Sequence, residues 1–359
     1  MNSKFAFKKM ISLVLSAAMI LSLTIAFTSC KAQKSKQKYT KTYFDYFDTI
    51  SNVVGYFDND VQFGVVADLV EERISEYHKL YDIYNSYDGI TNLCDLNRLY
   101  DGVHKKLTVD EKIIDMLLFA KEAYMLTDGE TNVCLGALLS LWHEKRQEAL
   151  KSPEKASLPS ENDIVSAAFN SDINQLIIDE ENRTVFISNP NMTLDVGAVA
   201  KGYAVEMIAA ELESMGLSGI SLSVGGNVRV IGTKPGGEAW IAGITNPDLS
   251  SEEEYSALLN ISSGALVTSG SYQRYYVVNG KSYHHIIDKD TLCPAAYFAS
   301  VSVWTADSAM ADALSTALFA MSYDDGKALV ESIADTEAMW ITASGEKLYS
   351  SGFISLIKK

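Results

Sequence analysis

Four short segments of this chain gather groups able to handle phosphate and a hard cation. In Asp195-Val196-Gly197-Ala198-Val199-Ala200-Lys201-Gly202-Tyr203-Ala204, an acid is followed by small residues and then by a Lys that opens a helical pattern. Backbone N–H groups at a helix N-terminus together with one ammonium suit phosphate oxygens. A plain strand–turn–helix with an exposed Lys explains the same residues. Ser223-Val224-Gly225-Gly226-Asn227-Val228 is a second Gly-rich turn, for which positive φ in a hairpin is reason enough. Thr268-Ser269-Gly270-Ser271-Tyr272, then Arg274 and His284-His285-Ile286-Ile287-Asp288, bring hydroxyls, a guanidinium and imidazoles together. Adjacent histidines on a strand point to opposite faces, so one of the two serves a given site. Asp312 and Thr316 stand four apart in an apolar, small-residue helix and share one face. They offer two hard oxygens of the kind Mg²⁺ prefers, or else a helix-terminal Asp and a packed Thr.

The elements that must position these groups follow from periodicity. Residues 43–66 alternate as one or two strands, and Val65–Tyr84 has helical spacing. A loop through Asn85–Gly89 and a second helix over Val109–Thr127 come next, and residues 151–162 read as a polar insertion. Strands are expected at 175–179, 184–188 and 193–196, a helix from Lys201 to Met215, and strands at 220–224, 228–232, 239–244, 258–262 and 275–278. A last helix over Ser308–Met321 precedes residues 326–334 and a hairpin near 340–353. Runs of strands between helices, without strict alternation, give the class α+β. No composition shift divides residues 43–359, which read as one large domain.

Of 359 residues, 47% are hydrophobic and 21% charged, so a large core is available and general disorder is excluded. A net charge of −16 argues against nucleic acid as a partner, because phosphate backbones need clustered Lys and Arg. The common nucleotide and hydrolase signatures are absent: no P-loop, no Gly-x-Ser-x-Gly, no His-Glu-x-x-His, no Gly-x-Gly-x-x-Gly after a strand. The N-terminus carries Lys4, Lys8 and Lys9 before an uncharged stretch that runs to Cys30, the pattern of a secretory signal. Ala26-Phe27-Thr28-Ser29-Cys30 resembles a bacterial lipobox, which makes residues 1–29 a lipoprotein signal peptide and Cys30 the lipidation site. Residues 30–42, with five Lys, read as a flexible basic tether near anionic headgroups. Loss of three leader lysines from −16 leaves a mature chain at −19. The expected location is extracytoplasmic, lipid-anchored to the bacterial cell membrane. The other cysteines, Cys94, Cys134 and Cys293, match no zinc spacing and are expected as small buried hydrophobes.

Taken in order, the four segments resemble the ApbE family, the FAD:protein FMN transferases. That family's pattern runs Asp-x-Gly-Gly/Ala-x-Ala-Lys-Gly-Tyr-Ala, Ser-x-Gly-Gly-Asn, Thr-Ser-Gly-x-Tyr-x-Arg, His-x-Ile-Asp-Pro and Ala-Asp-Ala-Leu-Ser-Thr. Its counterparts here end with a complete Ala311–Thr316, and Lys289 stands at the usual Pro. Tyr84–Asp88 and Asp128–Asn132 extend the likeness over about residues 43–355. The resemblance implies an ApbE-like (T-fold-like) single large domain of mixed and antiparallel sheets with packed helices. It implies Mg²⁺ held by Asp312, Thr316 and the Ala198 carbonyl. FAD would meet Asp195 and Lys201, with Tyr84 as a stacking ring, Glu130, Thr131 and Asn132 nearby, and Ile286 against the flavin or adenine. His285 would be the base, given an ordinary pKa of ~6.5. The implied reaction is Mg²⁺-dependent transfer of FMN from FAD to a Thr or Ser hydroxyl of a partner protein, releasing AMP. The partner would carry Asp-x-Ser/Thr-Gly-Ala/Ser-Ser/Thr, a motif this chain lacks, and would be a membrane or extracytoplasmic redox protein. The alternatives are an Mg²⁺-dependent FAD pyrophosphatase giving FMN and AMP, and a non-catalytic FAD-binding lipoprotein.

Overall fold

A computed structural model describes residues 36–359; the leader, Cys30 and the first tether lysines lie outside the described residues. Eight strands form the spine. In chain order they are β1 (Gln37–Tyr46), β2 (Thr49–Phe57), β3 (Ile220–Val224), β4 (Asn227–Ile231), β5 (Gly264–Gly270), β6 (Ser300–Thr305), β7 (Glu337–Ile341) and β8 (Lys347–Tyr349). They lie side by side in that same order, and every pairing from β2 to β8 is antiparallel. Helices α1 (Asp60–Tyr81), α2 (Glu111–Leu126), α3 (Gly136–Lys151), α4 (Glu161–Ala168) and α5 (Ala200–Ser214) fall between β2 and β3. Helices α6 (Ser308–Ala320) and α7 (Tyr323–Ser332) fall between β6 and β7. The α+β class is therefore as expected, and Lys38–Lys359 forms one compact unit.

Alternation along the strands builds two cores. On one face Val53, Ile220, Leu222 and Val224 pack with α1, α2 and α5, while Ala265, Val267, Val301 and Val303 pack with α6. On the other face Val230, Leu266, Met339 and Ile341 meet a two-stranded ribbon, Trp240–Thr245 with Tyr255–Ile261. Burial on both faces explains why β5 and β6 escape a period-2 search: neither has a solvent face to supply the polar alternation. The turn between β3 and β4 is the Gly225-Gly226 pair, with φ of +56° and +93°. Val224 pairs with Asn227 across it, so the turn chemistry accounts for both glycines.

The N-terminal strand starts at Gln37, inside the stretch expected to be a flexible tether. Its inward residues explain this, since Tyr39 stacks on Phe63 at 5.5 Å and the buried Tyr43 hydroxyl donates to the Ala67 carbonyl at 2.6 Å. Helix α1 starts at Asp60 rather than Val65 because Asn59 caps it, accepting from the Gln62 N–H. Residues 193–196 form no strand. Helix α3 and the short α4 were invisible to periodicity. Of the three cysteines only Cys134 is buried; Cys94 is half-buried, Cys293 is exposed, and all three are free thiols. No helix among the described residues is long and apolar enough to cross a membrane.

Candidate functional site

Two helix starts face each other at the centre of the site. Asp307 caps α6 by accepting from the Met310 N–H at 2.9 Å, and the Ser308 N–H donates to the Glu206 carboxylate at 2.7 Å. Glu206, on α5, is also ion-paired with Arg229 of β4 at 2.9 Å, so one buried acid ties two helices to the sheet. At Gly202 the helices nearly touch: a Cβ there would lie 2.4 Å from both Asp312 Cβ and the Ser308 carbonyl oxygen. That approach lets the Gly202 N–H donate to Asp312 Oδ2 at 2.8 Å. Gly202 is the third residue of α5, whose first-turn N–H groups have no partner within the helix, and Asp312 supplies one.

Around Asp312, Lys201 Nζ stands 3.8 Å from Oδ2 and donates to the Gly197 carbonyl at 3.3 Å. One turn on, Thr316 Oγ1 is 3.4 Å from Ser269 Oγ, which meets Ser315 Oγ at 2.8 Å. A buried carboxylate, a hydroxyl and the Ala198 carbonyl, which precedes the helix, are all hard oxygens. They fit Mg²⁺, which takes one or two carboxylates and completes its shell with water and substrate phosphates. Among the described residues no three His, Cys, Asp or Glu gather as a cluster for another metal.

Asp195 is fixed from both sides. Asn97 bonds both backbone groups of Leu194, at 2.7 and 2.9 Å, and the Asp195 N–H donates to the Val133 carbonyl. Its Oδ1 accepts from the Gly197 N–H at 2.8 Å. Burial pushes the carboxyl pKa up, while the Gly197 N–H and the charges of His143, Lys201 and Arg274 pull it back.

His285 follows the hairpin Tyr275–Val278/Lys281–His284. As adjacent histidines should, the two divide. His284 is buried with Nε2 2.7 Å from the Ala295 carbonyl, and His285 is exposed with Nδ1 3.3 Å from the Arg274 carbonyl. Crowding by protein, then the Arg274 guanidinium, push the His285 pKa down to about 3. Water reaches one side of the ring, so screening softens this shift, but its direction corrects the expectation of an ordinary value. The imidazole is neutral at physiological pH and disfavours a proton until an anion joins it.

The remaining expected contacts separate into those that face the site and those that support it. Tyr84 is 60% exposed, its ring 5.6 Å from that of His143. Asp82 holds its loop by accepting from the Tyr84 and Asn85 N–H groups and the Tyr87 hydroxyl. Glu130 Oε1 pairs with Lys289 at 3.2 Å, and its Oε2 is buried without a hydrogen-bond partner, a free acceptor. Thr131 is fully buried, its hydroxyl given to the Ala313 carbonyl of α6 at 2.8 Å. Asn132 accepts from the Cys134 N–H and donates to the Ser171 carbonyl. Both side chains brace the site instead of lining it. Ile286 is buried in the core with Val267, Phe298 and Leu314, which corrects its expected place against a ligand ring. Two residues of α3, His143 and Arg146, were missed; their only signal was the helical spacing of Leu138, Trp142 and Ala149 after Gly136.

The comparisons with known proteins agree with this geometry. The model of the ApbE family matches residues 47–340, and the chain belongs to that family. A Klebsiella pneumoniae protein named FAD:protein FMN transferase is 29% identical over 287 residues, 80% of this chain and 85% of its own. A Treponema pallidum protein of the same name is 28% identical over 67% of each chain. The crystal structure of the ApbE protein of Thermotoga maritima superposes with a TM-score of 0.77, at 26% identity over 90% of this chain and all of that one. The flavin transferase ApbE of Vibrio cholerae, 22% identical with a TM-score of 0.73 over 89% of this chain and 99% of its own, shares the fold.

Proposed function

We propose that this protein is an FAD:protein FMN transferase that moves FMN from FAD to a Ser or Thr hydroxyl of a partner protein. The observation that carries the reading is the joining of Asp312, Gly202 and Lys201 across two helix starts. Family membership and the shared name of the relatives support it. Asp312, Thr316 and the Ala198 carbonyl would hold Mg²⁺, and Ser269 orients the Thr316 hydroxyl. When bound, the ion supplies charge neutralisation to the pyrophosphate.

The residues of the chain do the rest. Lys201 faces the pyrophosphate oxygens, the exposed Tyr84 ring offers a flat face to a base or flavin, and Glu130 Oε2 accepts from a ring N–H. His285 takes the proton from the acceptor hydroxyl as its oxygen bonds the FMN-side phosphorus. The bond from that phosphorus to the bridging oxygen breaks, and AMP leaves with the bridging oxygen. A base with a lowered pKa is neutral when the acceptor arrives, and the anionic substrate beside it stabilises the imidazolium that forms. The signal pattern at residues 1–30 supports an extracytoplasmic, lipid-anchored protein, whose acceptor would be a membrane or extracytoplasmic redox protein. The acceptor sequence would be Asp-x-Ser/Thr-Gly-Ala/Ser-Ser/Thr.

AMP release from FAD and Mg²⁺, with and without a peptide carrying that motif, tests the reading. AMP formed with the peptide supports transfer; AMP formed equally without it, together with free FMN, turns the site into a pyrophosphatase.

A further inference from the structure

Helix α3 carries an imidazole, His143, and a guanidinium, Arg146, to which the mechanism above gives no task. Arg146 Nε is buried with no hydrogen-bond partner, and one terminal nitrogen of the same guanidinium lies 3.4 Å from His143 Nδ1. The charged group that acts on Arg146 most is a second guanidinium, Arg274, which repels it. Asp195 feels both His143 and Arg274, yet among the described residues it forms an ion pair within 4 Å with neither. In a chain where 46 acids outnumber 30 bases, two guanidiniums and an imidazole set against each other, one with a buried unused donor, form an anion site by composition and by geometry. Both guanidiniums also act on His285, whose Nδ1 rests on the Arg274 carbonyl.

We propose that Arg146 and Arg274 form an oxyanion clamp for the pyrophosphate of the dinucleotide, on the side of the site next to His285. The proposal rests on the transferase reading. A base within hydrogen-bond reach of the attacking hydroxyl puts the phosphorus a few ångströms beyond it, and both guanidiniums act on that same base. The guanidinium fork matches phosphate oxygens in a way an ammonium does not. One pyrophosphate would satisfy the buried Nε and cancel the repulsion between the two arginines. The Tyr84 ring on His143 places a flat surface beside the clamp for the aromatic part of the same ligand.

Binding of riboflavin, FMN and FAD, followed by flavin fluorescence with Mg²⁺ present, tests this in the full chain, in Arg146→Gln, Arg146→Lys and Arg274→Gln. The wild-type protein should bind FAD more tightly than riboflavin. Each Gln variant should lose roughly 10–100-fold in FAD affinity, the scale of a charge-assisted hydrogen bond. Riboflavin affinity should stay unchanged, and Arg146→Lys should fall between. An unchanged FAD-to-riboflavin ratio in Arg146→Gln overturns the clamp, and does so decisively if the variant instead raises KM for the acceptor peptide. Equal loss of riboflavin and FAD in both Gln variants assigns the arginines a structural role and also overturns it. A wild-type protein that binds no flavin overturns the transferase reading as well, which separates the two failures.

Discussion

Gly202→Ala isolates the contact on which the site depends. The added Cβ would stand 2.4 Å from a backbone oxygen and from Asp312 Cβ, where carbon contacts settle at about 3.5–4 Å. Neither neighbour is the loose end of a side chain, so α5 and α6 must part by about 1 Å. Overpacking of this kind costs about 1–3 kcal/mol, while replacing a helical Gly by Ala returns up to about 1 kcal/mol. The net loss is about 1–2 kcal/mol. For a unit the size of Lys38–Lys359, one kcal/mol shifts the melting temperature by roughly 1.5 °C, so a fall of about 2–3 °C is expected. Function should suffer more than stability, because the parting stretches the bond from the Gly202 N–H to Asp312 Oδ2. A charge-assisted bond of that type is worth about 1.5–3 kcal/mol. The Mg²⁺ needed for half-maximal AMP release should therefore rise about tenfold or more. Calorimetry and a Mg²⁺ titration read the two effects separately. A variant that melts higher than the parent, with the same Mg²⁺ dependence, would refute the reasoning, since helix propensity would then have outweighed the contact.

Asp312→Asn should abolish Mg²⁺-dependent AMP release while the fold persists, and unchanged turnover would remove Asp312 from the metal site. His285→Ala should still bind FAD but transfer it slowly; a variant as fast as the parent means that another group takes the proton. Because the His285 pKa is lowered, protonation in the free protein is postponed to acid pH, and the acid limb of kcat/KM should lie well below pH 6.5. Arg274→Gln removes one depressing charge and should move that limb towards 6.5. A limb at 6.5 in both proteins would contradict the assignment. The same lowered pKa means that the unfolded chain takes the proton more readily, so this group costs stability as pH falls below about 6.5. Glu206→Ala leaves Arg229 buried with the half-exposed Glu213 as its one acid, beside the Val230 carbonyl, and frees the Ser308 N–H. A loss towards the lower end of about 3–5 kcal/mol is expected, seen as a reduced urea midpoint.

The chemistry of this chain was easier to read than its framework. Asp312 and Thr316 on one helical face, Lys201 at a helix start and the division of labour between His284 and His285 follow from spacing alone. Strands β5 and β6 did not, because a strand covered on both faces loses the alternation that marks it. Helix α3 begins in an apolar run, Gly136–Trp142, that fits a strand or a helix equally well, so His143 and Arg146 stayed unseen. Thr131 and Ile286 were read as ligand contacts from position within a motif, and position does not show which way a side chain turns. Thr131 turns to the Ala313 carbonyl and Ile286 turns into the core. The buried Nε of Arg146 and Oε2 of Glu130 are three-dimensional facts with no counterpart in sequence.

The central claim is that this chain forms a covalent bond between FMN and another protein. The most direct test is the intact mass of an acceptor peptide after incubation with the protein, FAD and Mg²⁺. A mass gain of FMN less one water, absent with Asp312→Asn and with a peptide lacking the motif's hydroxyl, is the expected result. An unchanged peptide mass while FAD is converted to free FMN and AMP would contradict the account.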